Sequence, residues 1–96
     1  MPIKQNLSEL LHGEVKSKEI IDIIFNDLEN QLLDKTEVVV DLKEVSFISV
    51  YFLERLEKFV GKANELSVKI EIKNVSPYIY KVFQVGRLKA VLSVCT

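Results

Sequence analysis

The stretch Val38-Val39-Val40-Asp41-Leu42-Lys43-Glu44-Val45-Ser46-Phe47-Ile48-Ser49-Val50-Tyr51-Phe52-Leu53-Glu54-Arg55-Leu56 decides the fold. It opens with a β-branched run that shows no alternation, the pattern expected of a strand covered on both faces, and such strands belong to parallel or mixed α/β sheets. The strand over 38–42 is therefore read as the central one. Val45 to Ser49 then leads into a helix: Phe52, Leu53, Leu56, Phe59 and Val60 recur on one face, and Glu54, Arg55, Glu57, Lys58 and Lys62 fall on the other. Ser49 is the natural N-cap, because its side-chain oxygen can accept a hydrogen bond from a free N–H of the first turn. Gly61 or the region of Asn64 is expected to end the helix.

Working outward, Ser17 caps an upstream helix over 17–33. Glu19 lies in its first turn, and Ile20, Ile21, Ile24, Leu28 and Leu32 stand at helical spacing. Ile23 and Phe25 widen its apolar face, while Asp22, Asn26, Asp27, Glu29 and Asn30 are read as turned toward water. Downstream, Val68 to Lys73 alternates strictly, as a strand with one buried face does, and is placed nearer a sheet edge. Ser76-Pro77 reads as an N-cap followed by proline at the first helical position, with Ile79, Val82 and Phe83 inward and Gly86 at the far end. Leu88, Val91, Leu92 and Val94 fit a last strand or a short helix. Residues 2–13 stay open, since Ile3, Leu7, Leu10 and Leu11 suit a short strand followed by a helical turn as well as other arrangements. The order of elements implies right-handed crossovers in a small α/β domain, a mixed or parallel β-sheet with helices packed against it.

Composition narrows the function. With 96 residues, 48% of them hydrophobic and 28% charged, the chain is expected to be one soluble domain over 1–96, too small for a cleft between two lobes. No segment approaches the roughly 18 apolar residues of a membrane span and the N-terminus lacks a signal-peptide core, so a cytoplasmic protein without membrane contact is expected. Net charge is −1, yet residues 1–48 carry 5 lysines against 10 acids and residues 49–96 carry 8 basic residues against 4 acids. The positive charges are dispersed over several elements, which argues against nucleic acid as a partner.

The chemistry-bearing residues are sparse. Cys95 stands alone near the C-terminus as a passive thiol, and His12 has no second histidine or cysteine nearby, so no metal site is expected. Glycines 13, 61 and 86 never cluster into a phosphate-binding loop. Pairs such as Asp22/Asp27 and Asp41/Glu44 give no reason to select one carboxylate as a base. An enzyme is not expected, and no cofactor is implied. Phe25, Phe47, Phe52, Phe59 and Phe83 read as core; Tyr51, Tyr78 and Tyr80 are candidates for an interface.

The 38–56 stretch resembles the signature region of STAS domains, the anti-sigma-factor antagonist family, in which an apolar-apolar-Asp-Leu strand precedes an Asp-Ser-Ser-Gly-Leu turn that starts a helix. Val68 to Ile72, Asn74-Val75-Ser76-Pro77 and the helix ending near Gly86 and Leu88 look like the family's second half, so the resemblance runs over about residues 36–92. Asp41 matches the strand aspartate, and Gly86-Arg87-Leu88 matches a family Gly-Leu with one residue inserted. Aligned without gaps, Ser49 takes the place of the family's aspartate, Val50 that of its phosphorylated serine, Tyr51 that of the next serine and Phe52 that of the glycine. The chain is thus similar to divergent STAS-like bacterial domains without the usual phosphoacceptor.

The resemblance implies a non-catalytic regulatory module that binds proteins in bacterial signalling, with an anti-sigma-type kinase or ATPase as the partner class. A phosphate at such a turn adds about −1.5 to −2 charges at a helix N-terminus, tolerated by the helix and able to repel a partner. The partner-binding residues expected are Ser49, Val50, Tyr51, Glu54 and Arg55. Ser49 is also the candidate phosphoacceptor, against its plainer role as a cap. Two other functions compete: a constitutive homodimer or structural subunit whose interface core is Val50, Tyr51 and Phe52, and a small-ligand or nucleotide site at the carboxyl edge of the sheet.

Overall fold

Four short strands and five helices follow from these patterns in the computed structural model, which describes residues 7–96, with side chains from residue 9. A helical turn, α1 (Leu7–Leu10), leads to β1 (Gly13–Val15), then α2 (Lys18–Gln31), β2 (Glu37–Asp41) and β3 (Val45–Ile48). After α3 (Val50–Glu65) come β4 (Lys69–Lys73), α4 (Pro77–Val85) and α5 (Lys89–Ser93). The reading of 2–13 allowed a short strand followed by a helical turn; among the described residues the turn α1 comes before the strand β1, and Ile3 and the Leu7 side chain lie outside them. Gly13, with φ 65°, sits where the β1–β3 register slips, a backbone position that a side chain disfavours.

All the pairings are parallel. β1 lies beside β3, and β2 lies beside β4 in the register Glu37–Lys69 through Asp41–Lys73. The turn Leu42–Glu44 joins the two pairs, with the Val45 N–H donating to the Leu42 carbonyl and the Gly13 N–H to that of Glu44. β2 thus has one partner strand among the described residues. The strand expected nearer the edge, β4, has β2 on one side and the single bridge Ile72–Cys95 on the other.

The expected double covering of β2 is not found. Val38 and Val40 are buried, while Val39 is 44% exposed between exposed Glu37 and Asp41. Helices cover one face of this strand, and a continuous β-branched run satisfies that arrangement as well as it satisfies two covered faces. β4 alternates as its sequence predicts, with Ile70 and Ile72 inward.

The helices bury their apolar stripes in one cluster with the strands. Ile21, Ile24, Phe25 and Leu28 of α2 meet Phe52, Leu56, Phe59 and Val60 of α3. Phe25 packs edge-on against Phe52 at 5.1 Å between centroids and against Phe59 at 6.1 Å. Such geometry adds about 0.5–1.5 kcal/mol per pair beyond the area buried. Phe47, expected in the core, is only half-buried, while Val45 and Ile48 of β3 are buried. The caps fall as read: Ser17, Ser49 and Ser76 each accept from the N–H three residues on. Gly61 lies inside α3, which runs on to Glu65.

One terminus departs from expectation in a measurable way. Gly86 caps α4 with φ −74°, and the left-handed position after it is taken by Arg87 at φ 57°. A Cβ on Gly86 would meet the Val82 carbonyl oxygen at 3.3 Å, so the glycine serves close approach and Arg87 carries the backbone cost. That cost is about 1 kcal/mol for a residue with a side chain. Arg87→Gly is therefore expected to raise unfolding stability by about 0.5–1 kcal/mol in urea titrations at unchanged m value; an unchanged or lower midpoint would contradict the strain.

Candidate functional site

The start of α3 is held by two devices. Ser49, half-buried, extends β3 by donating its N–H to the Val15 carbonyl and caps the helix through Oγ, which accepts from Phe52 N–H at 3.2 Å. The second device is a polar latch onto α2. Tyr51 donates its hydroxyl to Asp22 Oδ1, and Arg55 donates from Nη1 to the same oxygen at 2.6 Å. Arg55 Nη2 reaches Asn26 Oδ1 and Glu29 Oε2, each at 3.4 Å. The guanidinium lies 5.6 Å from the Phe25 ring centre, and the Lys18 ammonium lies 5.2 Å from that of Tyr51.

Arg55 was expected on the wet face of α3, and Asp22, Asn26 and Glu29 on that of α2. The Arg55 side chain is instead 18% exposed, that of Glu29 23% and that of Asp22 38%. Burial of the guanidinium works against its charge, but the Tyr51 hydroxyl and the Glu29 and Asp22 carboxylates outweigh it and hold its pKa above the ordinary value. Asp22, Glu29 and Lys18 are therefore site residues that sequence reasoning missed. The signal was present as Asp22, Asn26 and Glu29 at i, i+4 and i+7, facing Tyr51 and Arg55 at i, i+4.

Of the five residues expected to bind a partner, the structure divides the set. Val50 is 70% exposed and Glu54 is exposed, on the outer face of the first two turns. Tyr51 and Arg55 are half-buried and turned onto α2, and Ser49 is occupied as a cap. Phe52 is fully buried, so Val50, Tyr51 and Phe52 do not form the contiguous apolar surface that the homodimer reading assumed.

At the carboxyl ends of β2 and β4 a second polar contact ties the strands. Asp41 Oδ1 accepts from Asn74 Nδ2 at 3.0 Å and from the Lys43 N–H at 2.9 Å, and Asn74 adopts φ 58°. The hydrogen bond from Asn74, then that from Lys43, hold the Asp41 carboxyl below its usual range. The groove of about 480 Å³ lined by Asn64, Lys69, Ile70 and Val94 lies beside β4 and the C-terminus, away from the carboxyl edge where a ligand site was considered. Among the described residues no three His, Cys, Asp or Glu side chains gather to hold a metal, and no helix is long and apolar enough to cross a membrane. Cys95 donates to the Val91 carbonyl, and burial pushes its thiol pKa up, which disfavours a reactive thiolate.

Two outcomes check this geometry. Arg55→Met keeps the stem packed and removes the charge, and is expected to cost about 1–2 kcal/mol of stability in urea unfolding, with Asp22 and Glu29 left without the guanidinium; a loss within about 0.3 kcal/mol of zero would reduce the latch to a surface ion pair. For Asp41, a depressed folded pKa makes a stabilising contribution that is present above the unfolded value and lost as pH falls through the folded one. A carbon-detected NMR titration should place its midpoint below 3.8, and Asn74→Ala should move it upward. A wild-type midpoint at or above 3.8 contradicts the contact.

Comparison with known families brings one match: the model of the STAS domain covers residues 11–96. No curated protein matches the chain.

Proposed function

The chain belongs to the STAS domain family, and from that premise we propose that it acts as one non-catalytic regulatory unit that docks a protein partner through the exposed start of α3, with the family's phosphoserine switch lost. Membership implies a regulatory module of the antagonist type; STAS domains typically bind proteins and are generally non-catalytic. The observation that carries the finer reading is the division along the first two turns of α3. Tyr51 and Arg55 brace the helix against α2, which leaves Val50 and Glu54 presented on a fixed backbone. A preorganised surface binds without the entropy cost of ordering itself.

The loss of the switch rests on the residues at the turn. Val50 stands in the phosphoserine position of the ungapped alignment and has no oxygen to modify. The two neighbouring hydroxyls are committed, Ser49 to the cap and Tyr51 to Asp22. A phosphate on Tyr51 would meet the Asp22 carboxylate and open the latch. The partner class favoured is an anti-sigma-type kinase or ATPase in a cytoplasmic bacterial signalling system, bound constitutively.

Isothermal titration against the anti-sigma-type kinase encoded nearest the gene tests this. Binding at micromolar affinity or tighter is expected, weakened about tenfold or more by Val50→Asp and by Glu54→Lys, a difference of about 1.4 kcal/mol, with unchanged melting temperatures. With ATP present, mass spectrometry should find no phosphate on residues 45–58. Absence of binding, or binding that both variants leave intact, refutes the docking face; phosphate on Ser49 or Tyr51 refutes the lost switch.

A further inference from the structure

The edge of β4 that faces away from β2 is only partly paired. In a parallel ladder the N–H and C=O groups of alternate residues turn to alternate sides of the strand. Lys69 donates its N–H to the Thr36 carbonyl at 2.9 Å, and Lys73 accepts from the Leu42 N–H at 3.0 Å. Lys69, Glu71 and Lys73 therefore face β2, and Val68, Ile70 and Ile72 face outward. Two of these three are satisfied. Ile72 donates to the Val94 carbonyl at 2.8 Å and accepts from the Thr96 N–H at 2.9 Å, and Val68 donates to the Ala63 carbonyl at 2.9 Å. Ile70, between them, has no hydrogen-bond partner for its N–H or its carbonyl among the described residues.

The gap follows from the path of the C-terminal residues. Cys95 lies opposite Ile72 in the parallel sense, but two residues earlier the chain is still in α5, and helical backbone has no free row of groups to pair with a strand. The track opposite Ile70 is left open as the groove of about 480 Å³, which Asn64, Val68, Ser93, Val94 and Thr96 line together with β4. Ile70 is only 6% exposed, and an amide and a carbonyl unpaired at so buried a residue are costly.

We propose that this groove receives an extended segment of a partner protein, which adds to the edge of β4 as a short strand paired with Ile70. The occupant is identified by what the same edge already holds: at Ile72 the same two bonds are exchanged with backbone of the chain itself. Strand addition satisfies an outward N–H and carbonyl together, which is how exposed sheet edges recruit other chains. The open stretch is closed at one end by the Val68–Ala63 bond and at the other by Val94, so the segment pairs over about three residues, roughly 10 Å. Lys69 and Glu71 flank Ile70 with opposite charges, and Val68 and Val94 line the groove, which suits an uncharged segment with a β-branched side chain. Affinity comes from backbone groups and is weak. Asn64 stands almost at the far end of α3 from Val50, about 21 Å along the axis, so this surface is separate from the proposed docking face at the start of α3, and either can fail without the other.

Amide NMR of the full chain tests the proposal, with the capped peptide acetyl-Lys-Thr-Val-Thr-Val-Thr-Lys-amide as the probe. In the free chain the Ile70 amide is expected to exchange with solvent at least about tenfold faster than those of Glu71 and Ile72. Peptide added to about 5 mM should shift the Ile70 resonance saturably, with a midpoint near 1 mM, and slow its exchange about fivefold. The same peptide N-methylated at its three central residues has no donors there and should leave Ile70 unmoved. Asn64→Trp and Ser93→Trp, at exposed positions on two different helices, fill the groove and should each weaken binding about tenfold or more at unchanged melting temperature. An Ile70 amide as protected as that of Ile72 in the free chain overturns the proposal, as does the lack of a saturable shift at Ile70. Binding that the N-methylated peptide reproduces, or that both tryptophan variants leave intact, overturns it too. An Ile70 shift that grows with protein concentration in the absence of peptide would assign the edge to a second copy of the chain and equally overturn it.

Discussion

The packing of α2 on α3 sets the position of everything else. Phe25 wedges against Phe52 and Phe59 in the interior, and the same interface ends at its outer margin in the contacts of Asp22 and Glu29 with Tyr51 and Arg55. The two halves of the interface do different work. Aromatic burial removes apolar area from water and accepts more than one ring geometry, offset or edge-on. The latch is directional: a guanidinium and a phenol sharing one carboxylate oxygen are satisfied over a narrow range of rotation. The direction in which Val50 and Glu54 point is therefore set by the core together with a few polar atoms at its edge.

Much of this architecture is legible in the chain itself, and the reasons are local. Ser17, Ser49 and Ser76 are read correctly as caps because capping depends on a side-chain oxygen and a free N–H three residues away. The apolar stripes of α2 and α3 are read because a period near 3.6 is a property of one element. β2 misleads for a comparable reason. The run from Val38 to Val40 has no visible period, and only in the folded chain does the segment alternate, with Glu37, Val39 and Asp41 exposed and Val38 and Val40 buried.

The candidate site was less legible because its residues change meaning when helices meet. Tyr51 and Arg55 on α3, and Asp22 and Glu29 on α2, are polar residues beside apolar stripes, the ordinary composition of a solvated helix flank. Their spacing puts each set on one side of its helix, but only the approach of the two helices, with a relative rotation that is a tertiary quantity, converts them into mutual partners. Arg87 shows the same limit on a smaller scale. The sequence pairs Gly86 with the end of α4, yet the steric demand of the Val82 carbonyl holds the glycine and shifts the left-handed conformation by one residue.

A serine at a helix start can join two roles, which the proposed reading of this chain separates. As a cap it supplies an acceptor to the first turn, and as a phosphoacceptor it supplies a charge that the helix dipole tolerates and a partner does not. Capping survives at Ser49, one position before the site that the ungapped alignment pairs with the family's phosphoserine, so the geometry of the turn does not require the modifiable residue. On the proposed reading, Val50 at the exposed tip of the turn offers a partner apolar contact in place of a charge that can be added and removed. Regulation of such a surface must then come from competition for it or from its concentration.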